Sequence, residues 1–290
     1  MMKHGWLVYN GFFHSESFSR LFGSILSEAE ALGISLRMVG NDQLCPPDAF
    51  LKAHKKPDFV LFWDKDVRLA FQLEQAGIPV FNSAKSIALC DDKTLTCLAL
   101  DSAVPMPETI LCPMTFYEYG DVSFLSRVED ALSFPYILKE GQGSFGQQVY
   151  LIRTHEEGVR KLQELAGKPL LFQRFVSSSF GRDLRVYVCG GQCAAAMERV
   201  APPGDFRANV MNGGKAAAHR LSAQEERIAL RAAQALGLTF AGVDLLFSGD
   251  GPLVCEVNSN AHFTAIMNLT GVRIPKLILE CILNQLPENT

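Results

Sequence analysis

A glycine-rich segment, GQGSFG at residues 141–146, is enclosed on both sides by sequence typical of β-strands. It matches the pattern G-x-G-x-x-G, which in dinucleotide-binding proteins follows a strand and opens a helix. Residues 134–139 favour a strand before it, but the β-branched and aromatic residues of 147–152 favour a second strand after it. The segment therefore predicts a hairpin-like turn, which argues against a Rossmann oxidoreductase. Two roles remain open: a flap whose backbone N–H groups close over phosphates, and an ordinary surface turn.

The bulk composition narrows the function classes. The chain has 290 residues, of which 48% are hydrophobic and 20% charged, and its net charge is −4. Without a basic stripe, a nucleic-acid partner is not expected. No apolar run is long enough to span a bilayer, and no signal-peptide core precedes the first strand, so we expect a cytoplasmic protein without a membrane partner.

The order of predicted elements indicates an α/β protein of several parts. Residues 1–88 alternate strands and helices, which predicts a Rossmann-like domain with a parallel sheet but no dinucleotide signal. Residues 89–111 are expected to form a linker helix and strand, residues 112–175 a small α+β lid, and residues 176–290 a larger α+β domain. Within this plan, one helix is predicted over 84–101 and a polar loop over 201–219.

Two apolar strands near the end of the chain carry acidic and amide side chains. Glu256 and Asn258 are two residues apart and project from the same face of one strand. If Asp244 faces the same way from the neighbouring strand, three oxygen ligands converge, as suits Mg²⁺. Solvated strand ends are the alternative, but two buried carboxylates side by side would be costly without a cation.

Other charged residues admit two interpretations each. Asp183 lies on a strand face with Arg185, where a cross-strand ion pair is the simpler interpretation. Residues 199–215 offer several basic and amide side chains that could clamp a phosphate or carboxylate, or form a solvated loop. Lys139 ends the strand that enters the glycine segment, within reach of phosphates held beneath it. Lys93, taken alone, would be a surface residue of a helix.

Taken in order, these motifs resemble the ATP-grasp superfamily, and most closely its RimK-type branch of carboxylate–amine ligases. The resemblance covers almost the whole chain and implies an ATP-grasp fold in which GQGSFG is the phosphate flap. It implies Mg²⁺ ligands at Asp244, Glu256 and Asn258, with Mn²⁺ as a substitute. It implies ATP-binding residues at the two lysines, in the flap, in a hinge strand, in the D-x-R strand and in the G-D-F-R-x-N loop: Lys93, Lys139, Gly143, Ser144, Gly146, Gln173, Arg174, Phe175, Asp183, Arg207, Ala208 and Asn209.

The chain departs from this family at two places. Many relatives carry Glu where Arg174 stands in the hinge. After E-V-N, relatives continue with a small-Pro-Gly turn, whereas this chain reads Ser-Asn-Ala-His-Phe at 259–263. That segment is expected near the acceptor, so Asn260 and His262, together with Arg199, are candidate substrate residues.

The resemblance implies a carboxylate substrate, an amine acceptor and an acyl-phosphate intermediate, with an oligomer possible. Catalysis would rest on positioning and on charge stabilisation, with Lys139 and Arg207 neutralising the transferred phosphoryl group. The ligated unit is expected to be an amino acid, as in glutamate ligases of this branch, and the acceptor a peptide, a protein or a small molecule. A catalytically silent nucleotide-binding protein on the same fold is the alternative.

Overall fold

The structure, a computed structural model, describes residues 2–143, 146–208 and 213–287. Its first part alternates strands and helices, as expected, and its strands form a parallel sheet in the order β2-β1-β3-β4. The elements are β1 His4–Tyr9, α1 Glu16–Ala31, β2 Ser35–Gly40, α2 Pro47–Ala53, β3 Phe59–Trp63, α3 Val67–Gln75, β4 Val80–Phe81 and α4 Ala84–Asp91.

The single helix predicted over residues 84–101 is wrong, because the chain breaks at Asp92. This residue is extended and its carboxylate accepts hydrogen bonds from the backbone N–H (2.8 Å) and the hydroxyl (2.6 Å) of Thr94, so it caps a second helix, α5 Lys93–Leu100. Aspartate favours such a cap over a helix interior. The break places Lys93 at the start of α5, where its N–H donates to the carbonyl of Gly141 at 2.7 Å.

The lid consists of an antiparallel sheet in the order β5-β8-β6-β7, covered by two helices. β5 falls within the segment expected as linker, and it pairs with β8 at the edge of the lid sheet. The lid has its own hydrophobic core, which includes Leu138, Leu162 and Phe172. Its elements are β5 Thr109–Leu111, α6 Phe124–Leu132, β6 Tyr136–Glu140, β7 Val149–Ile152, α7 His155–Glu164 and β8 Leu170–Arg174.

The remaining strands form an antiparallel sheet in the order β11-β10-β9-β12-β13. The loop predicted over 201–219 is wrong at its end, where Lys215–Ala218 forms the edge strand β11 against β10. Its three alanines carry little strand propensity, so pairing with β10 determines its conformation. The elements are β9 Arg182–Cys189, β10 Gln192–Val200, β11 Lys215–Ala218, α8 Ala223–Ala235, β12 Phe240–Leu246, β13 Leu253–Asn258, α9 Thr264–Thr270 and α10 Ile274–Gln285.

The parallel sheet and the five-stranded sheet share one hydrophobic core. Leu7 and Leu61 of the first belong to the same buried cluster as Tyr187 and Phe240 of the second. The buried amide of Asn82 joins them further, since its nitrogen donates to the carbonyls of Phe240 and Ser259, both at 2.9 Å. Throughout the described residues, every helix is too short or too polar to span a membrane.

Candidate functional site

A cleft lies between the lid sheet and the five-stranded sheet, and α5 forms one of its walls. The apolar side chains of Leu100, Met106, Leu171 and Val254 line it together with charged side chains. Such a slot suits a flat aromatic ring with a charged tail, because the ring is desolvated while the charges meet ionic partners.

Lys139 lies inside this cleft, because strand alternation on β6 turns its side chain inward. Only 6% of the residue is exposed. Its ammonium donates to the side-chain oxygen of Gln173 at 2.8 Å and lies 3.8 Å from the sulfur of Cys255. No carboxylate among the described residues forms an ion pair with it, so this buried cation is available to an anionic ligand.

Lys93 joins the glycine segment to the acidic strand. Its ammonium donates to the carbonyl of Gly143 at 3.2 Å and lies 3.9 Å from a carboxylate oxygen of Glu256. The helix break at Asp92 produces this position, because a continuous helix would not start at Lys93. The lysine is therefore part of the cleft rather than of a solvated helix surface.

The three oxygen-bearing side chains lie on adjoining strands. Asp244 of β12 is the direct antiparallel partner of Glu256 of β13, and Gly242 is the partner of Asn258. Asp244, Glu256 and Asn258 therefore share one face of the sheet. Their role as metal ligands remains a prediction, but the strand register provides the convergence on which that prediction depends.

Two arginines surround Asp244, which is 4% exposed. Arg185 contacts both carboxylate oxygens, at 2.7 and 2.6 Å, and Arg199 contacts one at 2.9 Å. Burial alone would raise the pKa of Asp244, but these two guanidiniums outweigh it and hold the pKa below its ordinary value. The carboxylate is thus kept ionised, as a metal ligand must be.

Arg199 also holds Asp183, with two contacts of 2.7 and 2.6 Å to its carboxylate. Burial raises the pKa of Asp183 despite this pairing. The candidate substrate residue Arg199 is therefore committed to two buried aspartates, and the structure does not present its guanidinium to a substrate. The simpler interpretation of the D-x-R strand holds, because Asp183 and Arg185 each pair with a residue of a neighbouring strand.

The residues present fit a divalent cation. Within the described chain no three His, Cys, Asp or Glu side chains are grouped to hold a metal ion, and the predicted set adds an amide, that of Asn258, to two carboxylates. The amide nitrogen of Asn258 is buried without a hydrogen-bond partner in that part of the chain. Nothing therefore fixes this amide, and it can turn its oxygen toward a cation beside Glu256.

The loop after β10 reaches the glycine segment through Arg207. Its guanidinium donates to the carbonyl of Gly146 at 3.1 Å and pairs with Asp205. Ala208 follows within the described chain, whereas Ser144 of the segment and Asn209 of the loop lie outside the described residues. A basic side chain thus meets the segment from each side, Arg207 from this loop and Lys93 from α5.

Comparisons with known proteins show the family to which the chain belongs. The model of the RimK-like ATP-grasp domain matches residues 70–282. The chain belongs to this family. A probable alpha-L-glutamate ligase of Coxiella burnetii is 36% identical over 213 residues, covering 73% of this chain and 69% of the relative. Another, of Parasynechococcus marenigrum, is 35% identical over 211 residues, which cover 72% of this chain but only 44% of that longer protein.

Solved structures show the same fold. The D-alanine–D-alanine ligase of Bacillus anthracis, complexed with ATP, has a TM-score of 0.74 at 18% identity, covering 97% of this chain and 96% of that one. The RimK domain protein of Sphaerobacter thermophilus has a TM-score of 0.70 at 22% identity, covering 96% and 98%. The ligase PsnB, complexed with a precursor variant, Mg and ADP, has a TM-score of 0.69 at 18% identity, covering 98% of each chain. At these identities the likeness shows the fold alone. The ATP-grasp fold expected from the sequence is confirmed.

In this RimK-like chain the hinge strand presents its residues alternately. Gln173 is buried and faces Lys139, whereas the guanidinium of Arg174 pairs with Glu108 and donates to the carbonyl of Leu132 at 3.0 Å. The side chain of Arg174 therefore points away from the cleft, because neighbouring strand residues face opposite sides. Phe175 packs edge-on against Phe206 and Phe180.

The two residues that replace the family's turn lie against the amino-terminal domain. The amide nitrogen of Asn260 donates to the carbonyl of Asp64 at 2.9 Å, and the ring of His262 meets Phe18 edge-on at 4.5 Å. The Asn260 amide oxygen and the His262 Nε2 are buried without partners in the described chain. Sequence reasoning missed Asp64, and it missed Arg185 as the partner of Asp244. The polar residue directly after an apolar strand and the D-x-R alternation were the available signals.

We expect a Gly143→Val, Gly146→Val double variant to lose ligase activity and ATP-dependent protection of residues 141–148 from proteolysis. Both glycines have positive φ, 147° and 73°, which valine adopts only with strain. A Cβ on Gly143 would also lie 2.4 Å from the Gln148 side chain. The matched control is Gly249→Val, where a Cβ meets nothing within 4 Å. Equal protection in the double variant and the parent would contradict the flap role.

We expect His262 to make the protein less stable as the pH falls below about 6.5, the ordinary value for histidine. Burial, and secondarily the charge of Arg185, lower the pKa of His262, so the folded state binds its proton less readily than the unfolded state. The stability this histidine contributes is present above its unfolded pKa and is lost on acidification. Urea unfolding between about pH 5 and 8 should show a steeper fall for the parent than for His262→Gln. The exposed His14→Gln serves as control, and parallel curves for parent and His262→Gln would refute the expectation.

Proposed function

We propose that this protein is an ATP- and magnesium-dependent ligase that joins an amino acid to a carboxylate through an amide bond. The observation that carries the proposal is the cleft lined by Lys93, Lys139 and Glu256, together with Asp244 as the strand partner of Glu256. The two ammonium groups suit a phosphate chain, and the acidic oxygens suit the metal ion that accompanies it. The family assignment supports the same reaction class.

The proposed reaction has two steps, formation of an acyl phosphate and formation of the amide. A carboxylate oxygen of the acid attacks the γ-phosphorus of ATP, the bond from phosphorus to the bridging oxygen breaks, and ADP leaves. The nitrogen of the amine then attacks the acyl carbon, the bond from that carbon to the phosphate oxygen breaks, and the nitrogen loses a proton. The products are an amide, ADP and phosphate, and no protein nucleophile is required.

The protein contributes position and charge to these steps. Lys139, buried and without a carboxylate partner in the described chain, stabilises the phosphoryl oxygens as negative charge shifts between them. Arg207 contacts the flap carbonyl and can approach the transferred group as the flap closes. A network of three further residues fixes the orientation and the negative charge of Asp244: Asp183, Arg185 and Arg199.

Asp244, Glu256 and Asn258 would hold Mg²⁺. Held there, the ion would supply positive charge that offsets the negative charge of the phosphates. The set offers hard oxygen ligands only, and Mn²⁺ accepts the same ligands, so we expect it to substitute for Mg²⁺.

For the substrates, we propose L-glutamate as the amine and a free carboxyl terminus of a peptide as the acid, by analogy with the probable glutamate ligases among the relatives. The test combines the protein, ATP, Mg²⁺, L-glutamate and a pool of peptides, with phosphate release and mass spectrometry as readouts. Products extended by one glutamyl residue would support the proposal. Phosphate release that no amino acid stimulates would refute it and favour a nucleotide-binding protein without ligase activity.

A further inference from the structure

Three polar residues lie at the carboxyl-terminal edge of the parallel sheet. Asn10, Asn41 and Asp64 each come directly after a strand, β1, β2 and β3 respectively. In open parallel sheets, ligands bind in the crevice outside this edge, because the strand ends leave side chains without cover from helices. The proposed ATP site lies elsewhere, between the lid and the five-stranded sheet, so this edge has no role yet.

Asp64 is a buried acid, and in the described chain the groups that donate hydrogen bonds to its carboxylate are uncharged. It is 9% exposed, and its carboxylate accepts from the amide nitrogens of Asn41 at 2.9 Å and Asn10 at 3.4 Å and from the N–H of Lys65 at 2.7 Å. Among the described residues, no basic side chain forms an ion pair with it. Burial raises the pKa of Asp64. A buried carboxylate of this kind favours a cationic ligand, because a positive charge would offset its desolvation.

The segment that follows β13 reaches the same edge of the parallel sheet. Asn260, two residues beyond Asn258, donates to the backbone carbonyl of Asp64 at 2.9 Å. The Asn260 amide oxygen and the His262 Nε2 are buried and lack a hydrogen-bond partner in the described chain. An amide oxygen accepts hydrogen bonds, and so does Nε2 in the tautomer that carries its proton on Nδ1. Unused acceptors and an unpaired carboxylate therefore adjoin the strand that carries Glu256.

We propose that Asp64 binds the ammonium group of the amine substrate and that Asn260 and His262 supply further acceptors for its N–H groups. The inference rests on the proposed ligase function and locates its second substrate. The amine would bind where the parallel sheet meets the five-stranded sheet, beside the end of β13, while the acid is phosphorylated in the cleft. Binding of the ammonium group would explain why this chain departs from the family's small-Pro-Gly turn, because Asn260 and His262 lie in the segment that replaces it.

The test compares Asp64→Asn with Asp48→Asn, a change of the same charge at an exposed position of the same domain. Initial rates of phosphate release are measured against L-glutamate at saturating ATP, Mg²⁺ and peptide pool, and then against ATP. We expect Asp64→Asn to raise the KM for L-glutamate by about ten- to a hundredfold, the range for a lost charged hydrogen bond, with the KM for ATP unchanged. Asp48→Asn should match the parent.

A control with a second ligand separates recognition of the ammonium group from a general weakening of the substrate site. Glutarate is L-glutamate without its amino group, so its inhibition constant should be the same in the parent and in Asp64→Asn. Thermal unfolding checks that the variant is folded. If Asp64→Asn does not fold, Asn260→Ala replaces it, with a smaller rise in the KM for L-glutamate expected.

The outcomes are distinct. An unchanged KM for L-glutamate in a folded, active variant would overturn the assignment of Asp64 while leaving the ligase proposal intact. An equal loss of L-glutamate and glutarate affinity would also overturn it, because the ammonium would not be the group recognised. Absence of amine-stimulated phosphate release in the parent would refute the proposed function, and this inference with it.

Discussion

Glu256→Gln should reduce amide formation by about a hundredfold or more while the protein remains folded. The substitution keeps the shape of the side chain but removes the charge that the proposed metal site requires. Glu256 is a better position for this test than Asp244, because its side chain is 34% exposed and its ion pair with Lys93 is long, at 3.9 Å. The measurements are phosphate release over a range of Mg²⁺ and Mn²⁺ concentrations and circular dichroism of the same sample.

The control for this variant is Glu198→Gln, a carboxylate of the same sheet that pairs with Arg182 at the surface. Its activity should equal that of the parent. A folded Glu256→Gln protein that consumed ATP normally would show that the metal site is assigned wrongly. Asp244→Asn is less informative, because it leaves Arg185 and Arg199 facing an uncharged group in a buried place, and loss of activity would then reflect loss of the fold.

Arg199→Met should lower the free energy of unfolding by about 3–5 kcal/mol, the cost of removing one partner from a buried ion pair. The side chains of Arg199 and Asp183 are 9% and 12% exposed, so without the guanidinium Asp183 would be left as a buried charge. Urea unfolding at constant pH measures the effect. The control Arg20→Met removes the same side chain from an exposed pair with Glu16 and should cost about 0–1 kcal/mol. Equal costs would contradict the buried network.

Much of the site was predictable because its residues lie on strands with a strict period of two. The pairing of Asp244 with Glu256, and the shared face of Glu256 and Asn258, follow from alternation and from the antiparallel neighbour. Lys139 was selected for its position next to the glycine segment, although β6 continues one residue further, to Glu140. The glycine segment could be assigned to a turn because the residues on both sides favour strands.

The remaining features depend on contacts between segments distant in sequence. The break at Asp92 is a local capping choice that competed with a plausible continuous helix, and β11 forms only because the edge of β10 accepts it. Arg174 was expected in the cleft by position in the motif, but its partner Glu108 lies 66 residues earlier on the outside of the lid. The amide nitrogen of Asn260 donates to the carbonyl of the buried Asp64 across 196 residues, which no local pattern reveals.

The arrangement of hydrophobic cores also bears on how cooperatively the chain unfolds. The parallel and five-stranded sheets contribute to a single cluster, whereas the buried residues of the lid form a separate one. Polar contacts also join the lid to the rest, such as those of Lys93 with Gly143 and of Arg207 with Gly146. Segments that share a core unfold together, and segments joined by polar contacts open at lower free energy. We therefore expect the lid to open at lower free energy than the rest of the chain, so that the proposed nucleotide site can loosen while the proposed substrate surface at Asp64 stays folded.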